Sequence, residues 1–138
     1  MRELPRQLTR QELEELFSGP SVLVDILAET DDPLERAEDV ALSLDEREQA
    51  AALAQHPRIG EPSPEQRGDD PAVITELSYL NQVYEEKFGF RFVVFVAGRS
   101  RTELLPVLRE RLERTREEEL ETGLRELVAI AKDRWQRR

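Results

Sequence analysis

The chain contains no cysteine, and only one histidine, one tryptophan and one methionine among its 138 residues. Without cysteine there is no disulfide framework and no thiolate to act as nucleophile or metal ligand, a composition suited to a reducing compartment. A lone histidine without cysteine supplies no ordinary zinc set, so no metal is expected. No apolar run approaches the ~20 residues that span a bilayer, and the first residues lack the apolar core of a secretory leader. The expectation is a cytoplasmic protein with no membrane partner. Positive charge is also scarce: 20 Lys and Arg stand against 30 Asp and Glu, for a net charge of −10. Nucleic acid is bound by neutralising phosphates with Lys and Arg, so no nucleic-acid partner is expected either. No glycine-rich phosphate loop is present; Gly98-Arg99-Ser100 reads as a loop-to-helix junction.

What the chain does have is helix punctuation. The length suits one domain over residues 1–138. Thr9 with Glu12 forms a capping box ahead of Leu13, Leu16 and Phe17, and Ser18-Gly19 stops that helix. Val22 to Leu27 fits a second helix. Asp32 before Pro33 marks a third, carrying Leu34, Ala37, Ala41 and Leu42. Ser43 with Glu46 predicts the start of an alanine-rich helix that ends at His56. Ser63, Pro64 and Gln66 predict a short helical turn closing at Gly68. Asp70-Pro71 opens the longest clean stripe, Val73, Leu77, Leu80, Tyr84 and Phe88, which Gly89 terminates. Ser100 with Glu103 and Thr115 with Glu118 open the last two helices, the first interrupted or delayed by Pro106. The final stripe runs Leu120, Leu124, Leu127, Ala131 and on to Arg134 and Trp135.

Phe90 to Ala97 breaks this pattern. Its aromatic and β-branched residues read as extended chain. One strand makes no sheet, so the segment either pairs with a partner chain or runs extended through an all-helical domain. The second is preferred here, and its backbone N–H and C=O groups then need partners, a task suited to a polar ligand.

Several residues are left without a plain structural role. His56 stands at a helix–loop junction, where an imidazole serves either proton chemistry or as a cation facing the helix dipole. Glu65 and Gln66 follow within ten residues. Arg134 lies on a buried stripe near a helix end, either as an anion-binding fork or as an apolar stem with a wet head.

His56-Pro57-Arg58-Ile59-Gly60, then Ser63-Pro64-Glu65-Gln66, then Leu80-Asn81-x-x-Tyr84-x-x-Lys87-Phe88-Gly89-Phe90-x-Phe92-Val93 and Gly98-Arg99-Ser100 together resemble the OHCU decarboxylase family. The substrate of that family is 2-oxo-4-hydroxy-4-carboxy-5-ureidoimidazoline (OHCU), converted to (S)-allantoin in urate breakdown. The resemblance runs from about residue 40 to the end, with weaker similarity before it. It implies an all-α bundle of about eight helices, a cofactor-free carboxy-lyase acting on a small molecule, and a homodimer as a frequent assembly. It places the catalytic histidine and glutamate on His56 and Glu65. Pro57, Gln66 and Arg134, the last in Ile130-Ala131-Lys132-Asp133-Arg134, become substrate contacts, with the backbone of Val93, Val94, Phe95 and Val96 holding the ring. Two departures accompany it. The stretch between Gly60 and Glu65 is short, and Pro62 stands where the family has serine, with Ser63 one place on.

Other readings stay open on the sequence. One is an altered or inactive helical relative that binds another small heterocyclic acid or a protein partner. Another is an acidic helical module whose 90–97 segment pairs with a partner strand.

Overall fold

The computed structural model describes residues 2–59 and 70–138. The fold is all-α. Among the described residues there are seven helices and no strand: α1 (Arg10–Leu16), α2 (Val22–Leu27), α3 (Pro33–Ser43), α4 (Glu46–Ala54), α5 (Pro71–Phe88), α6 (Arg101–Leu112) and α7 (Arg116–Arg137). About eight were expected; the turn predicted over residues 63–68 lies outside the described residues.

The predicted capping boxes form at Thr9, Ser100 and Thr115, each side chain accepting from the backbone N–H three residues on while the glutamate there reaches back. Two expectations need correcting. Helix α4 starts at Asp45, whose carboxylate accepts from the Glu48 N–H, and not at Ser43. Ser43 closes α3 instead, its hydroxyl donating to the Val40 carbonyl at 2.8 Å. Asp32 does precede Pro33, but with φ 52° and ψ 52° its carboxylate makes no capping bond. Its own N–H donates to the Arg6 carbonyl at 2.7 Å. Pro106 sits within α6.

The long helix α7 is the axis of the molecule. At 22 residues it is about 33 Å long by the helical rise, enough to lie along three partners. It packs on α1, α3 and α4, while α5 pairs with α6. Leu120, Leu124, Leu127, Val128 and Ala131 bury its inner stripe against Leu13, Leu34, Ala37 and Leu53 of one core.

Residues 91–96 run between α5 and α6 with no helix, turn or strand partner among the described residues. The extended reading stops short of Ala97, which turns at φ 51° where the Arg99 N–H closes on the Val96 carbonyl at 3.0 Å. Phe90, Phe92, Val93 and Val94 are buried, and the Phe90 and Phe92 rings lie 6.0 and 5.1 Å from that of Tyr84. The backbone is served largely by charged side chains rather than left for a ligand. Arg111 Nη1 donates to the Val93 carbonyl at 2.7 Å. The Phe95 N–H donates to Glu126 Oε1 at 3.2 Å. Arg99 donates to the carbonyls of Phe95 and Val96. Arg111 is itself held by Glu119, which is fully buried and accepts from Arg111 Nε at 2.7 Å, Tyr84 Oη at 2.6 Å and Arg114 Nη1 at 3.1 Å. A buried carboxylate demands such compensation, because leaving it unpaired costs several kcal/mol.

Candidate active site

Helix α4 runs out of backbone partners at its C-terminus. The His56 N–H closes the last turn on the Leu53 carbonyl at 3.1 Å. Arg91, the one charged residue in the apolar run, reaches across from the extended segment. Its Nη1 donates to the carbonyls of Ala54 at 2.7 Å and His56 at 2.8 Å, where a cation is favoured by the helix dipole. The loop after His56 is tied down from the other side: buried Asn81 of α5 donates to the Ile59 carbonyl at 2.6 Å and to Leu77 at 3.0 Å. The two motif blocks of the sequence thus meet in space, the asparagine of one holding the isoleucine of the other.

Opposite His56 is the sharp end of α1. Ser18 adopts φ 71° and Gly19 φ 148°, the left-handed region where side chains are strained. At Gly19 a Cβ would strike the Gln55 side chain, so the α1–α2 turn lies directly on the end of α4. This turn sets Ser18 Oγ 3.3 Å from His56 Nδ1. Arg134, in the last turn of α7, reaches the same hydroxyl: its Nη1 donates to Ser18 Oγ at 2.7 Å and to the Leu16 carbonyl at 3.0 Å. A longer contact, at 3.4 Å, runs to Glu15.

The electrostatics follow from this geometry. Burial, then the nearby Arg134 and Arg91 charges, push the His56 imidazole down to about 4, so the ring is neutral at pH 7. Burial also lowers the Arg134 guanidinium from its usual value, against the opposing pull of Asp133. Asp133 itself bridges to Arg137 at 3.0 Å. All described hydrogen bonds of Arg134 leave from Nη1, so Nε and Nη2 form an edge without a partner among the described residues. A guanidinium edge beside a neutral imidazole can take a carboxylate in two parallel bonds and present the rest of the molecule to the ring.

His56 and Arg134 are therefore brought together through Ser18. Pro57 follows His56 and is exposed. Val93, Val94, Phe95 and Val96 lie on the extended segment that Arg91 fastens to the His56 end of α4. Their side chains are buried or half-buried. Protein groups already engage the Val93, Phe95 and Val96 carbonyls and the Phe95 N–H. Neither the Val94 N–H nor its carbonyl has a hydrogen-bond partner among the described residues. Glu65, Gln66 and Ser63 lie outside the described residues. No group of three His, Cys, Asp or Glu is placed to hold a metal ion among the described residues. Sequence reasoning missed Ser18, which reads as a helix stop, and Arg91. A charged residue inside an apolar extended run was the available signal for the second.

A family model described as OHCU decarboxylase matches residues 2–136. The uric acid degradation bifunctional protein of Bacillus sp. (strain TB-90) is 40% identical over 60 residues, 44% of this chain and 12% of that protein. The uric acid degradation bifunctional protein TTL of Arabidopsis thaliana is 32% identical over 96 residues, 57% of this chain and 30% of that protein. The matches thus span less than a third of these relatives. The crystal structure of an OHCU decarboxylase in the presence of (S)-allantoin superposes with a TM-score of 0.77 at 26% identity, covering 89% of this chain and 94% of that one. The crystal structure of an (S)-allantoin synthase shares the fold, with a TM-score of 0.72 at 17% identity over 91% of this chain and 47% of that one.

Proposed function

Because the chain belongs to the OHCU decarboxylase family, we propose that it decarboxylates OHCU to (S)-allantoin, a step of urate breakdown. The observation that carries this reading is the open Nε–Nη2 edge of half-buried Arg134 beside the neutral His56 ring, with Ser18 between them.

The substrate carries carboxylate and hydroxyl on one ring carbon, next to a ring imine. When the bond to the carboxylate breaks, CO2 leaves and the electron pair moves into the ring, with negative charge collecting on the imine nitrogen. The imine nitrogen takes up a proton, the hydroxyl becomes a carbonyl by losing its own, and the ureido-bearing carbon gains one. One proton is consumed overall. Arg134 binds the substrate by its carboxylate or ureido arm. His56 and Glu65 divide the remaining work, one holding the charge that develops and the other delivering the proton to a single face. Gln66, Pro57 and the backbone around Val94 fix the ring. A fixed donor on one side is what makes the product one enantiomer.

The small-molecule site is the partner that matters for this chemistry; assembly as a homodimer rests on the resemblance alone. No described helix is long and apolar enough to cross a membrane, and the cysteine-free composition supports placing the reaction in the cytoplasm.

The test supplies OHCU, generated in place from urate, and follows the circular dichroism of the product. Optically active allantoin should appear faster than spontaneous decay. A signal indistinguishable from the racemic decay without protein would overturn the reading and turn attention to another small heterocyclic acid.

A further inference from the structure

We propose that Ser18 is a positioning residue that fixes the His56 ring in one tautomer, with Nδ1 bare and the proton on Nε2, so that His56 meets the substrate as a neutral hydrogen-bond donor. This deepens the decarboxylase reading and rests on it for the catalytic consequence, though not for the tautomer.

The donors and lone pairs around Ser18 fix the direction of each bond. Arginine can only donate, so at 2.7 Å the Ser18 oxygen must be accepting from Arg134 Nη1. The hydroxyl then has one proton to place. Among the described residues the other group within bonding reach of Ser18 Oγ is His56 Nδ1, at 3.3 Å. Arg134 to Ser18 to Nδ1 is the one direction in which every proton has an acceptor. The reverse, Nδ1–H donating to Ser18, would give the oxygen two donors and leave its own proton unpaired in a half-buried site. A doubly protonated ring would fare worse. The groups facing it are Arg134 from α7, Arg91 from the extended segment and Ser18 from the α1–α2 turn, two of them cations.

The backbone supports a dedicated role. A serine at φ 71° stands where glycine would be less strained. Its hydroxyl is what the site gains from tolerating that strain.

The consequence concerns catalysis. A neutral imidazole holding its proton on Nε2 is a poor base toward the substrate hydroxyl. It is well suited to donate a hydrogen bond to the nitrogen or oxygen where charge collects as CO2 departs, as neutral imidazoles do elsewhere. The proton lost from the hydroxyl goes to another group or to water.

His56 is the sole histidine, so ring 15N spectra of the labelled full chain report this site without assignment. At pH 8 the wild type should show Nδ1 unprotonated and Nε2 protonated. Protonated Nδ1, or an imidazolium, overturns the proposal. Ser18→Asp, a residue tolerant of the left-handed conformation, offers acceptors only and should move the proton to Nδ1. With that inversion kcat should fall by more than about a hundredfold, as when a catalytic histidine is held in the wrong tautomer, while far-ultraviolet circular dichroism shows the helices retained. A folded Ser18→Asp protein whose ring does not invert, or one that inverts and keeps kcat, overturns it. Ser18→Gly relieves the strain and should leave the two nitrogens averaging between tautomers, with kcat down about tenfold, the scale of one hydrogen bond. A ring still locked in Ser18→Gly overturns Ser18 as the device. If the wild-type ring shows the stated tautomer but OHCU is not turned over, the decarboxylase reading fails and the tautomer assignment stands.

Discussion

Arg134 does two things with one guanidinium. Nη1 clamps the C-terminal carbonyls of α1 and the Ser18 hydroxyl, and the opposite edge, without a partner among the described residues, is the contact proposed for the substrate anion. Lysine cannot do both, since a single ammonium has no fork. Arg134→Lys should therefore raise KM at least about tenfold, the value of one charge-assisted bond, with kcat changed much less. Steady-state kinetics across OHCU concentrations separates the two, and a kcat loss with KM unchanged contradicts a binding role. Tyr84 offers a contrasting case with no ligand involved. Its hydroxyl donates to buried Glu119, and burial with that bond keeps the phenol proton well above its ordinary range. Tyr84→Phe should cost about 1.5–3 kcal/mol, the range for a hydrogen bond to a charged group, measurable by urea unfolding. Arg134 was legible in the sequence because it continues a helical stripe. Ser18 was not, because its partners His56 and Arg134 are 38 and 116 residues away and nothing local marks the meeting.

Helices were the most readable elements, since their signals are local. Thr9, Ser100 and Thr115 cap where their boxes lie. The start of α4 shows the limit. Ser43-x-x-Glu46 and Asp45-x-x-Glu48 overlap in the same stretch, and the Asp45 cap wins. Thr115 opens the helix that carries Arg134, so its cap bears on fold and site together. Thr115→Ala should lower stability by about 1 kcal/mol, read as a shift in the urea midpoint with an unchanged slope. No shift would mean the box at α7 is ornamental. The extended segment was legible as extended, from its aromatic and β-branched run. How its backbone is satisfied was not, because Arg111, Glu126 and Arg99 come from other elements or from further along the chain. The ligand expected to do this is left chiefly with the groups around Val94.

For the whole molecule the charge balance and the one histidine set the response to acid. Backbone N–H and hydroxyl bonds hold the cap carboxylates Glu12, Glu103 and Glu118 below their ordinary value. Their contribution is present above the unfolded carboxylate range and lost as pH falls through the lower folded values. His56 acts over a different window. Its folded value of about 4 lies below the ordinary 6.5, so between those pH values the unfolded chain binds a proton the folded chain refuses. Stability is then flat above about pH 6.5 and falls from there to about pH 4, by on the order of 3 kcal/mol. Urea unfolding at a series of pH values should show this slope in the wild type and lose it in His56→Asn. An unchanged slope would mean that the ring is not held neutral by the fold.

In the proposed reaction, the neutral His56 ring held beside Arg134 is the group on which decarboxylation depends. The most direct measurement is OHCU turnover by wild type and His56→Asn at pH 8, above the window in which the histidine affects stability. Turnover should fall by more than about a hundredfold in the variant, the low end of a positioned acid–base or electrostatic group, with the urea midpoint retained. Near-wild-type turnover in a folded His56→Asn protein would contradict the account.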